Sequence, residues 1–343
     1  MSITIYDPTL RDGNHAISHG LSLEDIASYC QAIDDCGIGV IEVGHGNGLG
    51  ASTLQLGFAS HSDRTLLEKA RDNISKSLLG VHMIPGFAKI SDIKVAIDIG
   101  VDVLRIAAHC TEADLTEKYI EFAREQDKPP HGVLMMTHMA PAEQLLEEAL
   151  KLQSYGAMAI VLMDSAGNYV EKDVTEKVGL LVKNLDVPVG FHAHNNLGMA
   201  VANSLAAVQA GATIVDGTLC GFGAGAGNTQ LEAMCAVLSR YNYETGVDLF
   251  KLCDAIENLQ GLPVTNSPSI KTCNLISGVY GVCAGFEKHV THASKCFNVH
   301  SSLIYQELSK RNVLAGQEDM IIEAASRLSK LAQDLSEEGA SCF

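Results

Sequence analysis

The stretch Val187-Pro188-Val189-Gly190-Phe191-His192-Ala193-His194 joins a short apolar run to two histidines that are two residues apart. If the apolar run is a β-strand, both imidazole rings point to the same face, because successive side chains alternate across a strand. Neutral imidazole is the commonest metal ligand in proteins, so the pair can supply half of a metal site. Two histidines packed in a core or a loop would give the same pattern. A carboxylate from elsewhere in the chain is needed to decide between these readings.

This run belongs to one of eight similar units between residues 1 and 240, each with a short apolar run, a turn and an amphipathic stretch. Uninterrupted apolar runs are typical of strands that are covered on both faces. The strict alternation predicts a parallel sheet with right-handed crossovers. Eight units in this length favour a closed (β/α)8 TIM barrel over an open doubly wound sheet. The predicted strands are 3–6, 40–43, 78–83, 103–107, 132–136, 159–163, 187–191 and 213–215.

The pattern changes after Asn242, where no further strand is indicated. Helical periodicity covers residues 247–260, 301–311 and 317–335. The sequence therefore predicts two domains, a catalytic barrel at residues 1–242 and a helical C-terminal domain at residues 243–343.

Composition excludes several classes of partner. The chain has 343 residues, a net charge of −17 and a pI near 5.1, which argues against binding to nucleic acid or to an anionic membrane. No apolar run has the length of a membrane span, and the chain begins directly with an apparent strand and no signal peptide. The ten cysteines form no Cys-x-x-Cys pair, and we interpret them as reduced thiols. These features predict a cytoplasmic protein.

The C-terminal ends of the predicted strands carry an unusual concentration of titratable side chains, at the face where barrels of this kind place their active sites. Asp12 follows the first strand, so it can meet His192 and His194 across the barrel mouth. Two histidines and one carboxylate form a facial ligand set with open positions, as non-haem iron oxygenases also have. Without a thiolate, such a set suits Mn²⁺, Mg²⁺, Co²⁺ or Fe²⁺ and leaves Zn²⁺ open. The other side chains at these ends are Asp7, Arg11, His15, Glu42, His45, His82, His109, His138, Asp164, Ser165 and Asp216.

A glycine-rich loop, Gly221–Asn228, follows the eighth strand. It is similar to a dinucleotide-binding fingerprint, but it does not follow the first strand of a βαβ unit, so the motif fails its context. The glycines predict instead a close approach of the backbone to the metal pocket. Asn228 is then either near the metal or the N-cap of the next helix.

Two motifs together carry a resemblance to a known family. Thr9-Leu10-Arg11-Asp12-Gly13 and His192-Ala193-His194-Asn195 resemble the signature of the DRE-type metal-dependent aldolases and synthases. These are TIM barrels and include 3-hydroxy-3-methylglutaryl-CoA lyase and isopropylmalate synthase. Within that superfamily the chain is most similar to the 4-hydroxy-2-oxovalerate aldolases. The matching stretches run from Thr9–Ile17 to Gly316–Met320.

The resemblance implies roles for the residues at the barrel mouth. Asp12, His192 and His194 would hold the divalent metal, which is Mn²⁺ in most of this family, with Mg²⁺ or Co²⁺ as alternatives. The 2-oxo and carboxylate oxygens of the substrate would take the open positions, so Asp12 and His192 also border the substrate. Arg11 would stabilise the developing negative charge and contact the substrate. His15 would be the general base for the 4-hydroxyl group.

Two further residues are implied at the substrate, and one of them departs from the family. Ser165 would donate a hydrogen bond to the substrate carboxylate. Cys283 stands where the family has a tyrosine that contacts the substrate near its hydroxyl carbon, while Tyr280 lies three residues earlier. A thiol is smaller than a phenol and a weak donor, so neither the aldehyde nor the stereochemistry is predicted.

The resemblance implies a class II pyruvate aldolase, a carbon–carbon lyase. It would cleave 4-hydroxy-2-oxopentanoate, or a related 4-hydroxy-2-oxoacid, to pyruvate and acetaldehyde or another aldehyde. Family members commonly pair with an acylating aldehyde dehydrogenase, so we expect such a partner and an oligomer, with the C-terminal domain as lid and contact surface. The alternatives are an acyl-CoA-condensing 2-oxoacid synthase of the same superfamily and a non-catalytic assembly subunit.

Overall fold

The computed structural model describes residues 2–314 and 316–340, with side chains up to residue 332. Eight parallel strands close into a barrel in sequence order, which confirms the predicted (β/α)8 architecture. The closing pair joins β1 to β8, with Thr4 opposite Ile214. The strands are β1 (Thr4–Leu10), β2 (Val40–Val43), β3 (Leu78–Met83), β4 (Val103–His109), β5 (Pro130–Met135), β6 (Ala159–Asp164), β7 (Val189–Ala193) and β8 (Ile214–Asp216).

Eight helices cover the outside of the barrel, and one of them was not predicted. Ser22 and Asp25 form the predicted capping box at the start of the first helix. The helix at Asp63–Arg71 has nine residues, of which only Leu66, Leu67 and Ala70 are buried, so its apolar periodicity is short. The helices are α1 (Leu23–Ile33), α2 (Asp63–Arg71), α3 (Ile90–Ile99), α4 (Glu117–Glu125), α5 (Ala142–Tyr155), α6 (Glu171–Asn184), α7 (Ala200–Gln209) and α8 (Leu231–Arg240).

Five more α-helices follow the barrel in the part of the chain that the structure describes. Helix α9 packs against α1 and α8, whereas α10 to α13 share an apolar core of their own that includes Val290, Ile304 and Ile321. The predicted division at residue 242 stays a prediction, and residues 315 and 341–343 of the predicted second domain lie outside the described residues. These helices are α9 (Leu249–Asn258), α10 (Thr272–Tyr280), α11 (Glu287–Phe297), α12 (Ser301–Lys310) and α13 (Asp319–Ala340).

The segment of residues 277–288, which we call the roof, lies over the C-terminal ends of the strands. The amide of Ala284 donates a 3.0 Å hydrogen bond to the carbonyl of Ser165. His138, one of the histidines predicted at a strand end, contacts the carbonyl of Gly281 through its Nε2 at 2.7 Å. These contacts fix the roof over the strand ends where the sequence predicts the site.

The roof is also joined to the turn that follows β1. The ammonium group of Lys288 donates hydrogen bonds to the carbonyls of His15 and Ala16, at 3.0 and 3.2 Å, and to Oγ of Ser18 at 2.7 Å. These carbonyls lie in the last turn of the short 3-10 helix Asp12–Ile17, where the carbonyl of His15 also accepts a 3.3 Å hydrogen bond from the amide of Ser18. Within the described residues, the helices include none that is long and apolar enough to cross a membrane.

Candidate active site

The structure brings Asp12 together with His192 and His194, although Asp12 precedes the first of these histidines by 180 residues in the sequence. Asp12 opens the turn after β1, His192 lies in β7 and His194 directly follows that strand. Oδ2 of Asp12 is 3.9 Å from Nε2 of each histidine. All three side chains are buried, and one ligand atom from each lies within 4.8 Å of the others.

The donor atoms of this cluster fit a divalent cation. Nδ1 of His192 lies 2.8 Å from Oδ2 of Asp216. The carboxylate therefore accepts a hydrogen bond from the N–H at Nδ1, and the lone pair of the ring is on Nε2. That Nε2 is buried and has no hydrogen-bond partner among the described residues. Leaving such a group unpaired costs about 1–3 kcal/mol, which a cation between the three donors would offset. Two imidazoles and a carboxylate are a donor set that divalent transition metals accept.

The charge states of the cluster also suit a cation. Burial alone would raise the pKa of Asp12, but Arg11 and the two histidines hold that pKa well below its usual range. Burial lowers the pKa of His194 to about 3. At neutral pH the site therefore presents one carboxylate and a neutral imidazole with a free lone pair, the forms in which these groups bind metals.

The glycine-rich loop approaches the cluster closely, as predicted. A Cβ atom on Gly223 would lie 2.1 Å from Nδ2 of Asn228, so only glycine fits beside this amide. Nδ2 of Asn228 donates a 2.8 Å hydrogen bond to Oδ1 of Asp12, while its Oδ1 is buried without a partner among the described residues. Asn228 is not the N-cap of α8, which is Gln230. It therefore orients the carboxylate of Asp12.

A buried charged cluster that the sequence did not predict lies beneath these donors. Arg105, from the interior of β4, is fully buried and contacts Oδ2 of Asp216 at 2.7 Å and Oε2 of Glu42 at 3.3 Å. Glu42 in turn accepts a 2.5 Å hydrogen bond from Nε of Arg11. The sequence signal for this cluster is one arginine inside an apolar strand. Its two carboxylates, Glu42 and Asp216, were predicted at the strand ends but without a role.

This charged cluster links His192 to Arg11. Burial would raise the pKa of Glu42, but Arg11 and Arg105 lower it to about 2, so the carboxylate stays charged. Removing one partner of such a buried set leaves an uncompensated charge, at a cost of about 3–5 kcal/mol. The cluster therefore fixes the orientations of Arg11 and of His192 through one shared arginine.

Arg11 lies between this cluster and the open cavity. Its Nε contacts Glu42, and its Nη1 contacts Oδ2 of Asp12 at 2.6 Å and the carbonyl of Gly46 at 3.3 Å. Its Nη2 is buried and has no partner among the described residues. The guanidinium is thus held by two carboxylates and keeps a free donor for a ligand.

His15 and Ser165 line the same cavity as Arg11 and Asp12. Burial lowers the pKa of His15 to about 4, although the charge of Asp12 opposes this, so its imidazole is neutral at neutral pH. Oγ of Ser165 accepts a 3.0 Å hydrogen bond from the amide of Met136, which leaves the hydroxyl proton free to donate. Both side chains are placed to contact a ligand in the cavity.

Cys283 lines the cavity from the roof, and Tyr280 packs against the core of the C-terminal helices. Burial raises the pKa of the Cys283 thiol to about 11, so the sulfur is protonated at neutral pH. The cavity has a volume of about 1030 Å³. Its wall near the strand ends is formed by Arg11, Asp12, His15, His82, Ile84, Ala107, Met135, Met163, Ser165 and His194.

One residue predicted at the barrel mouth lies elsewhere. The first strand continues to Leu10, so the prediction that it ends at Tyr6 was wrong. Asp7 is inside this strand and accepts a 2.6 Å hydrogen bond from the hydroxyl of Tyr29 in α1. It therefore packs against the helical layer, on the side of β1 that faces away from the cavity.

Two other residues predicted at strand ends hold loops. His45 stacks on His19 with ring centres 3.6 Å apart, and its Nε2 lies 3.1 Å from the carbonyl of Gly57. Asp164 accepts a 3.0 Å hydrogen bond from the amide of Asn168. These contacts shape the loops around the cavity, and none of them involves Asp12, His192 or His194.

The change Asp216→Asn is expected to weaken the binding of a divalent metal by about 10- to 100-fold, because Asp216 orients His192 and fixes which ring nitrogen carries the proton. Isothermal titration of the metal-free protein with Mn²⁺ measures this. Asp7→Asn is a matched control, since Asp7 is equally buried on a neighbouring strand but faces α1. Equal Mn²⁺ affinities for the Asp216 variant and the unchanged protein would contradict this role.

Comparison with known proteins agrees with this geometry. Residues 2–259 match the HMGL-like family, and residues 268–330 match the DmpG-like communication domain. The chain is 50% identical over 328 residues to a 4-hydroxy-2-oxovalerate aldolase of Spirochaeta aurantia, covering 95% of this chain and 96% of that protein. It is also 50% identical over 338 residues to a 4-hydroxy-2-oxovalerate aldolase of Pectobacterium atrosepticum, covering 98% of each chain.

Solved structures support the fold. The carboxyl transferase domain of Rhizobium etli pyruvate carboxylase superposes with a TM-score of 0.80 at 16% identity, covering 96% of this chain and 60% of that one. At this identity the likeness concerns the barrel and the helices after it. The family of the chain is shown by the two family matches and by the relatives that are 50% identical over nearly the whole chain. The chain belongs to the 4-hydroxy-2-oxovalerate aldolase family, within the HMGL-like proteins.

Proposed function

We propose that this protein is a divalent-metal-dependent, class II pyruvate aldolase. It cleaves 4-hydroxy-2-oxopentanoate, or a closely related 4-hydroxy-2-oxoacid, to pyruvate and acetaldehyde or another aldehyde. The observation that supports this most directly is the group of Asp12, His192 and His194, whose ligand atoms lie within 4.8 Å of one another, next to Arg11, whose Nη2 has no partner among the described residues. A non-catalytic subunit would have no need of such a set, and the relatives are aldolases by name.

Asp12, His192 and His194 are the residues that would hold the metal, and we propose Mn²⁺ as the ion, with Mg²⁺ or Co²⁺ as alternatives. A bound divalent ion supplies Lewis acidity toward the carbonyl oxygen of a 2-oxoacid. Nitrogen and oxygen donors without a thiolate suit each of these ions. Asn228 supports the site by holding the carboxylate of Asp12.

Arg11 is proposed to stabilise the negative charge that develops on the 2-oxo oxygen when the bond between C3 and C4 breaks. Its Nη2 is free and buried in the cavity wall, and its other nitrogens are already held by Glu42 and Asp12. A donor fixed before the reaction needs no reorganisation as the charge appears, and its burial away from water strengthens the interaction.

His15 is proposed to accept the proton of the 4-hydroxyl group. Removing that proton turns the C4 hydroxyl into the aldehyde carbonyl, and the electron pair of the C3–C4 bond stays with the pyruvate half. The neutral imidazole expected from its lowered pKa is the form that accepts a proton. C3 of the pyruvate half then takes up a proton to complete the cleavage.

Ser165 and Cys283 are proposed to contact opposite ends of the substrate. The hydroxyl proton of Ser165 is free to donate to the substrate carboxylate, because its oxygen already accepts from the amide of Met136. Cys283 faces the cavity from the roof as a neutral thiol and would border the aldehyde-derived end.

The C-terminal helices are proposed to form a separate unit that covers the site and contacts an acylating aldehyde dehydrogenase. The match of residues 268–330 to the DmpG-like communication domain and the separate apolar core of α10 to α13 support this. The cysteines of the described chain are all free thiols, which supports a reducing, cytoplasmic compartment.

Removing the metal tests the proposed reaction. After treatment with a chelator, pyruvate release from 4-hydroxy-2-oxopentanoate is expected to fall by at least about 100-fold, since the ion supplies several kcal/mol of charge stabilisation. Lactate dehydrogenase and NADH report the pyruvate, and adding back Mn²⁺, Mg²⁺ or Co²⁺ ranks the ions.

A parallel assay distinguishes the competing synthase. An acyl-CoA-condensing enzyme would release thiol from acetyl-CoA in the presence of a 2-oxoacid, and a thiol reagent detects this. Thiol release without cleavage of any 4-hydroxy-2-oxoacid would replace the aldolase assignment by that of a synthase.

A further inference from the structure

A buried histidine that has no part in the proposed reaction lines the same cavity. His82 lies in β3, and its side chain is 2% exposed. Its Nδ1 is buried and has no hydrogen-bond partner among the described residues. A buried ring nitrogen without a partner is unfavourable unless a ligand or a water molecule bonds it.

His82 lies across the barrel from the metal donors. Strand β3 is four positions from β7 in either direction around the closed sheet, so His82 and His192 occupy opposite walls. The proposed reaction fixes the carboxylate and 2-oxo end of the substrate at the donors. The aldehyde-derived end therefore extends toward the wall that contains His82.

The strand ends between His82 and the metal donors are apolar. Ala107 and Met163 pack together in a small buried cluster, with Ile84 and Met135 against it, and all four line the cavity. On its own wall, His82 has Arg105 as its in-register neighbour on β4. His82 is thus a hydrogen-bonding group at the edge of the buried charged cluster, next to an apolar surface that runs round to β6. A site that needed only to accept an alkyl aldehyde would have no use for an unpaired imidazole at this position.

The state of the ring and the size of the cavity indicate what it binds. Burial, with the nearby charge of Arg11, lowers the pKa of His82 to about 3, so the ring is neutral and offers one donor and one acceptor. A hydroxyl group has the same pair of functions and can bond either nitrogen. The cavity of about 1030 Å³ leaves room for a hydroxylated substrate.

We propose that His82 determines specificity by hydrogen bonding to a hydroxyl group on the aldehyde-derived half of the substrate. The preferred substrates are then 4-hydroxy-2-oxoacids with a further hydroxyl next to C4, the adducts of pyruvate with 2-hydroxyaldehydes. This inference rests on the proposed aldolase function and names the substrate class of the same site.

The condensation reaction of pyruvate with two aldehydes of equal size tests this proposal. Glycolaldehyde and propanal differ by a hydroxyl in place of a methyl group, and their kcat/KM values are compared per unhydrated aldehyde. The unchanged protein is expected to prefer glycolaldehyde. In His82→Leu, which removes the polar atoms at similar volume, the ratio of glycolaldehyde to propanal is expected to fall at least about tenfold.

Ile84→Leu is the matched control, because Ile84 is an apolar residue of the cavity wall that directly follows β3, and its exchange at equal volume should leave the ratio within about twofold. His82→Asn, which keeps a polar side chain, is expected to retain part of the preference. If the leucine variant does not fold, the ratio of kcat/KM for glycolaldehyde to that for propanal is measured in His82→Asn instead. Melting temperature and Mn²⁺ affinity establish that each variant keeps its fold and metal site.

The outcomes separate the two proposals. Absence of condensation with every aldehyde, acetaldehyde included, would overturn the aldolase function itself. Condensation with a preference for propanal in the unchanged protein would overturn the role of His82. A ratio that is the same before and after the substitution would also overturn it.

Discussion

The change His194→Ala is expected to abolish Mn²⁺ binding at micromolar metal and to lower the rate of pyruvate release by at least about 1000-fold. The substitution leaves one imidazole and one carboxylate at the site. Loss of the several kcal/mol that a metal contributes corresponds to about three orders of magnitude in rate. Isothermal titration with Mn²⁺ and the coupled lactate dehydrogenase assay measure the two effects.

His194 is the donor whose loss can be interpreted most clearly. Asp12 also pairs with Arg11, and His192 also pairs with Asp216, so changing either of them would disturb the buried charged cluster. His109→Ala is a suitable control, because His109 lines the same cavity outside the metal cluster. Unimpaired Mn²⁺ binding by the His194 variant would exclude it as a ligand.

The change Arg11→Lys is expected to lower kcat by about 100- to 1000-fold while Mn²⁺ affinity changes by less than about tenfold. A lysine keeps the charge, but a single ammonium group cannot bond Glu42 and Asp12 and still direct a donor into the cavity. The interaction lost is one made mainly in the transition state, so kcat and kcat/KM should fall together.

The kinetic pattern distinguishes this role from simple substrate binding. A rise in KM at unchanged kcat would show that Arg11 binds ground and transition states equally, against the proposed role. Arg71→Lys is the control, since Arg71 pairs with Asp102 at the partly exposed edge of the barrel and not in the cavity. Its kinetic constants should stay within about twofold of the unchanged protein.

The barrel could be predicted because its strands are continuous apolar runs that alternate with amphipathic helices. Helices α2, α10 and α11 were not predicted. Helix α10 contains Gly278 and several β-branched residues, which have low helix propensity. It is stabilised by packing against α12 and by residues such as Ser277, whose hydroxyl bonds the carbonyl of Val282. Such tertiary contacts leave no periodic signal in the sequence.

The candidate site could likewise be predicted only in part. Asp12, His192 and His194 could be predicted to meet, because the ends of parallel barrel strands converge at one mouth. The link from Arg105 through Asp216 depends on how far each side chain reaches inside the barrel, which the order of residues does not reveal. The unpaired nitrogen of His82 likewise becomes visible only when its neighbours in space are known.

The three hydrogen bonds from Lys288 join the C-terminal helices to the turn that follows β1. The turn that presents Asp12 and His15 is anchored at its far end by α11, a helix that follows the barrel in sequence. A displacement of α11 by about one ångström would exceed the tolerance of those hydrogen bonds. A change at the C-terminal helices that shifted α11 would therefore also shift the turn that carries His15, the proposed base.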